Sequence, residues 1–182
     1  FRWKEVLKQE LRILVKNRTF LMLLILGYLH VIARVLQVVA MSIIASNPNN
    51  QLATMLRGMA QLEMFSVNEG MFFNFLRLQS PIMFLTILMA GSGMICDDFR
   101  NNLMEIFFSK PLNWLDYILG KVMTLMLIGL TLTAVPAIFL VILHNILTPS
   151  WETLGQTYWL PWPIIVFSLA LVVPAALAVL AS

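Results

Sequence analysis

Residues 122–143 read VMTLMLIGLTLTAVPAIFLVIL, without one charged side chain. A bilayer's hydrocarbon core is about 30 Å thick, and about 20 residues rising about 1.5 Å each cross it as a helix. Lipid offers the backbone no hydrogen bonds, so a run of this length and polarity is read as a membrane-spanning helix, with a kink expected at Pro136. Three other stretches have the same character. Residues 19–45 are apolar apart from His30, Arg34, Gln37 and Ser42. Residues 72–96 carry Arg77 near their start and the small residues Ala90, Gly91, Ser92 and Gly93 toward their end, which allow close helix contact. Residues 162–182 form the last run. Across all 182 residues 60% are hydrophobic and 12% charged, whereas a soluble domain is about a quarter charged. The expected fold is an all-α integral membrane domain with four visible spans.

The connections are also informative. Residues 1–18 place Trp3, Val6, Leu7, Leu11 and Leu14 on one helical face and Arg2, Lys4, Lys8, Arg12 and Lys16 mostly elsewhere, which predicts an amphipathic helix lying in the membrane interface. Between the first two spans, residues 46–71 form an outer loop. Asn47-Pro48-Asn49-Asn50 break the chain there, and Leu52, Met55, Leu56 and Met59 follow at helical spacing. Residues 144–161 form a second outer loop. Of the twelve Lys and Arg, six lie in residues 1–18 and three in 97–121, leaving Arg34, Arg57 and Arg77; positive charge is retained inside, so both clusters and the amino terminus are placed in the cytoplasm. The five tryptophans, Trp3, Trp114, Trp151, Trp159 and Trp162, fall at or beyond the span ends, where amphipathic rings prefer to sit.

The inner segment 97–121 interleaves Asp97, Asp98, Arg100, Glu105, Lys110, Asp116 and Lys121 with Phe99, Leu103, Ile106, Phe107, Leu112, Trp114 and Tyr117. Short amphipathic surface helices follow from this pattern, with Leu103, Ile106 and Phe107 on one face and Pro111 ending or bending the first of them. The segment resembles the first cytoplasmic loop of the ABC-2 family of ABC transporter permeases. That loop opens on an acidic pair, runs through Arg-Asn-x-Thr-Leu-Glu and Ser-x-Pro-Leu-Ser-Arg, and closes on Asp-Tyr-x-x-Gly-Lys. Here the counterparts are Asp97-Asp98, then Arg100-Asn101-Asn102-Leu103-Met104-Glu105, then Ser109-Lys110-Pro111-Leu112-Asn113-Trp114, then Asp116-Tyr117-Ile118-Leu119-Gly120-Lys121. Leu103 replaces the usual threonine and Trp114 the usual arginine.

The resemblance implies a six-span permease that dimerises as a homo- or heterodimer in a prokaryotic plasma membrane and sits on cytoplasmic ABC ATPase subunits. In that case Asp97, Asp98, Arg100, Glu105, Phe107, Pro111, Asp116, Tyr117, Gly120 and Lys121 are the candidate ATPase-coupling residues, and export is the implied direction. The last apolar run reaches Ser182 without a polar exit, so further spans are expected beyond it. No Gly-x-x-x-x-Gly-Lys-Ser/Thr phosphate loop is present, because Gly120-Lys121 lacks the upstream glycine and the hydroxyl residue. The chain itself is expected to bind no cofactor; ATP and magnesium act through the partner.

Other residues have plainer readings. Ionisable groups inside a span are candidate pathway residues, which singles out His30, Arg34 and Arg77, although Arg34 can equally snorkel to the outer interface. Asp97 and Asp98 read most simply as solvated acids at a span end, Lys121 as an anchor to lipid head groups, and Gly120 as a point where the helix packs closely on the coupling segment. Met41, Met55, Met59, Met64 and Met71 are soft atoms that suit Cu(I), but no His or Cys accompanies them and they read as apolar filler. The lone Cys96 reads as packing, and no nucleic-acid surface is visible. Two other functions remain open from the residues alone. One is a membrane scaffold that docks a cytoplasmic partner without transport; the other is a membrane-embedded enzyme, for which no catalytic motif is found.

Overall fold

The computed structural model describes residues 3–46, 69–92, 94, 98, 113–147 and 151–181. Among these there is no strand, and seven helices follow one another: α1 Trp3–Lys16, α2 Arg18–Ser46, α3 Glu69–Gly91, α4 Trp114–Leu132, α5 Ala134–Leu147, α6 Trp151–Thr157 and α7 Pro161–Ala181. Four stretches are long and apolar enough to cross a membrane: Arg18–Ile43, Gly70–Gly91, Trp114–Leu147 and Leu154–Ala181. The chain is thus an all-α membrane domain.

Local chemistry sets the boundaries. Asn17 separates α1 from α2: its side-chain oxygen accepts from the backbone N–H of Thr19 at 3.0 Å and its carbonyl from Leu21 at 3.1 Å, the work of a helix cap. Within α3, Pro81 has no N–H to give the carbonyl of Arg77, and the hydroxyl of Ser80 donates to that carbonyl instead at 2.8 Å. The third span is broken. It pauses at Thr133 rather than at the proline, because a proline ring disturbs the carbonyl four residues earlier, here that of Leu132. Thr133 bridges the gap by donating both its N–H and its hydroxyl to the carbonyl of Gly129.

The break falls between two cores. One, at the α1 end, gathers Leu14 and Phe20 with Met83, Ile87, Leu125, Ile128, Leu132, Val172 and Ala176. The other, at the far end, gathers Val31, Val38, Phe72, Phe75, Leu76, Leu140, Leu160 and Ile164. Gly91 and Gly129 let α7 approach closely, since a Cβ on either would lie 2.5 Å or 2.6 Å from a methyl of Val179 or Val172. On α2, Met22, Ile25, Leu26, Leu29, Ile32 and Leu36 point outward, as befits a surface that meets lipid rather than water.

The outer loop helix expected within 46–71, and Asp97, Arg100, Glu105, Phe107 and Pro111 of the coupling segment, lie outside the described residues. The closing part of that segment is helical: α4 begins at Trp114, so Asp116, Tyr117, Gly120 and Lys121 occupy its first turns.

Candidate functional site

Helix α1 buries Val6, Glu10 and Leu14, a stripe of every fourth residue. Every fourth residue of a helix lies on nearly the same face, and this face packs along α4. Contact is closest at Gly120, where a Cβ would sit 2.8 Å from Cβ of Val6 and 3.2 Å from the carbonyl oxygen of Trp3. Only a residue without a side chain admits α1 at this distance. Gly120 therefore packs against the N-terminal helix, where a contact with the coupling segment was expected.

One residue further on, Lys121 is 1% exposed. Its Nζ lies 2.5 Å from Oε1 of Glu10, 2.6 Å from Oδ2 of Asp98 and 2.8 Å from the carbonyl oxygen of Met94. An ammonium has three protons, and all three have acceptors. Tyr117, fully buried, donates its hydroxyl to Oδ2 of Asp98 at 2.7 Å, and its ring centroid lies 5.2 Å from Nζ. A single ammonium thus joins three separate pieces of chain: α1, the residues that follow α3, and α4.

Lys121 is consequently not a head-group anchor, and Asp98 is not solvated; both are buried in one cluster. The reason is that a charge leaving water costs several kcal/mol unless it is paired and hydrogen-bonded, and here each charged group finds partners from another element. Among the described residues the balance of charge is uneven, with two carboxyl groups for one ammonium. Asp98 accepts from both Lys121 and Tyr117, whereas Glu10 accepts from Lys121. Burial raises the pKa of Glu10 above its ordinary value; Lys121 opposes that shift and the nearby Asp98 adds to it.

A second polar group lies within the spans. His30 is twelve residues into α2, about 18 Å along its axis. Its Nδ1 lies 2.7 Å from Oε1 of Gln79, a fully buried residue of α3, and its ring stacks on Phe75 at 5.2 Å. The Gln79 amide in turn donates to the carbonyl of Gly27 at 3.3 Å. Arg34, one turn beyond His30, donates to Gln37 on its own helix at 2.8 Å. Arg77 stands on an exposed face of α3, apart from the buried face that holds Gln79. On α7 the buried hydroxyl of Ser168 has no hydrogen-bond partner among the described residues.

Of the residues singled out from sequence, Asp98, Tyr117, Gly120 and Lys121 come together, with Asp116 half-buried beside them on the first turn of α4. His30, Arg34 and Arg77 do not converge. Glu10 and Gln79 were missed. The signal for Glu10 was an acid between Val6 and Leu14 on an otherwise apolar stripe; for Gln79 it was an amide one turn from apolar neighbours inside a span.

A family model described as ABC-2 family transporter protein matches residues 5–182, a stretch that takes in Glu10, Asp98 and Lys121 together. No curated protein and no solved structure matches the chain.

Proposed function

Since the chain belongs to the ABC-2 transporter family, a family of membrane proteins that serve transport, we propose that it is the permease subunit of an ATP-driven exporter whose ATPase is a separate cytoplasmic chain. The reading is supported above all by the cluster at Lys121, which ties the segment resembling a coupling loop to α1 and α4 through Asp98, Lys121 and Glu10. A push delivered to that segment by an ATPase cannot leave α1 and α4 where they are without breaking the buried Lys121–Asp98 pair or the contact between Lys121 and Glu10. Work done outside the membrane reaches the spans through this junction.

In this reading the α1 end faces the cytoplasm, and Asp97, Arg100, Glu105, Phe107 and Pro111 meet the ATPase, which supplies ATP and magnesium. A second permease copy completes the pathway. His30 and Gln79 contribute polar groups at membrane depth, and the break at Thr133 lets the two halves of the third span tilt separately as access alternates. The host is a prokaryotic plasma membrane.

The test is purification of the tagged protein from its native membrane, followed by ATP hydrolysis and transport assays in proteoliposomes. An ABC ATPase is expected to co-purify and to hydrolyse ATP faster with the permease than without it. If the protein purifies without an ATPase, or with one whose hydrolysis moves nothing across the bilayer, the chain is a scaffold and not a permease.

A further inference from the structure

Among the described residues, the junction at Lys121 holds one more acid than base. Among the described residues, the titratable and charged groups that face Glu10 are Lys121 and Tyr117 of α4 and Asp98 after α3. Lys4, Glu5, Lys8, Arg12 and Lys16 on its own helix are exposed, as is Arg18 at the start of α2; Asp116 is half-buried on α4; and α7 has no charged residue. With both carboxylates ionised the buried group carries one uncompensated negative charge, and a charge in that position costs far more than a paired one. One proton on a carboxylate removes it. Asp98 already accepts from two donors at a single oxygen, and Glu10 accepts from one. Glu10 is therefore the place for the proton.

We propose that Glu10 is a positioning residue that holds α1 against α4 in its protonated form, so that docking of the N-terminal helix takes up one proton from water and release of the helix returns it. The balance is simple: undocked α1 carries the Glu10 carboxylate in water, and docked α1 carries the carboxylic acid beside the Lys121–Asp98 pair. Its raised pKa agrees in direction. This inference concerns the state of one helix and stands whether or not the protein transports anything.

The experiment is amide hydrogen exchange of residues 3–16 in the full chain in lipid nanodiscs, from about pH 5 to about pH 8.5, with exchange normalised to intrinsic rates. Docking that consumes one proton makes the undocking equilibrium rise by up to about tenfold per pH unit between the free and the docked pKa of Glu10. Wild-type α1 is expected to lose protection as pH rises through that window. Glu10→Gln, a neutral mimic of the acid, should keep α1 protected throughout and lose the pH dependence. Asp98→Asn, which equalises the charges by another route, should flatten the profile as well. Wild-type protection that does not change with pH overturns the proposal. So does loss of protection at every pH in both variants, because it would show that the anions themselves hold the helix.

Discussion

Nζ of Lys121 stands 2.5 Å from Oε1 of Glu10 across 111 positions of sequence, and the contact is almost free of solvent. It spans more of the sequence than the Lys121–Asp98 contact, and it joins the amphipathic helix α1 to the first turns of a membrane span. Removing either end should have very different consequences, because Lys121 is the cation that the two acids share.

Lys121→Met strands the buried Asp98 carboxylate and removes the donor to Glu10, and breaking a buried pair from one side costs about 3–5 kcal/mol. Glu10→Gln leaves the Lys121–Asp98 pair intact, and its cost is expected to stay within about 1 kcal/mol. Thermal unfolding of both variants in the same detergent checks this. Equal destabilisation would mean that the cluster is not organised around the ammonium.

At Gly120 the limit is steric. Gly120→Val places atoms where Cβ of Val6 already lies, and overpacking of this kind costs about 1–3 kcal/mol. Combining Gly120→Ala with Val6→Ala should recover part of the loss caused by Gly120→Ala alone, since neighbouring sites couple while distant ones add. A double-mutant cycle on unfolding free energy reads the coupling directly.

The hydrogen bond between His30 and Gln79 joins α2 to α3 inside the apolar layer. Such contacts average about 0.6 kcal/mol and reach about 1.7 kcal/mol. A cycle of His30→Phe and Gln79→Leu is expected to give a coupling energy in that range. A value indistinguishable from zero would show that the two side chains act independently.

Association with the ATPase should depend on apolar anchors more than on rim charges in the coupling segment. Buried aromatic anchors commonly contribute about 2 kcal/mol or more, and rim charges little. Phe107→Ala is expected to weaken ATPase co-purification more than Glu105→Lys, at matched membrane abundance. If both variants retain wild-type association and activity, the segment is not where the ATPase docks.

What could be read from sequence divides along the range of the interaction. The apolar run at 122–143 and the helical periodicity of residues 3–16 are local patterns, and helix formation in lipid follows from them directly. The break near Pro136 was legible too, although its position at Thr133 reflects the reach of the ring into the preceding turn. Lys121 and Asp98 were legible as residues of interest but not in their surroundings. A charge next to a span end looks the same whether it meets a head group or a counter-ion, and the counter-ion here lies at Glu10, in another helix. Glu10 itself was hidden by the basic residues around it, which drew attention to the polar face. Gln79 had no charge to mark it.

The separation of Glu10 from Lys121 also orders events during synthesis. A ribosome adds about 5–20 residues per second, so Glu10 is made roughly 5–20 s before its cation exists. Through that interval the new carboxylate can only be hydrated, and the first helix waits at the bilayer surface while two spans are threaded past it. Closure of the junction is therefore one of the last steps in the maturation of this part of the chain, and a nascent protein stalled before Lys121 presents an undocked, net basic amino-terminal helix whose Glu10 lacks its cation.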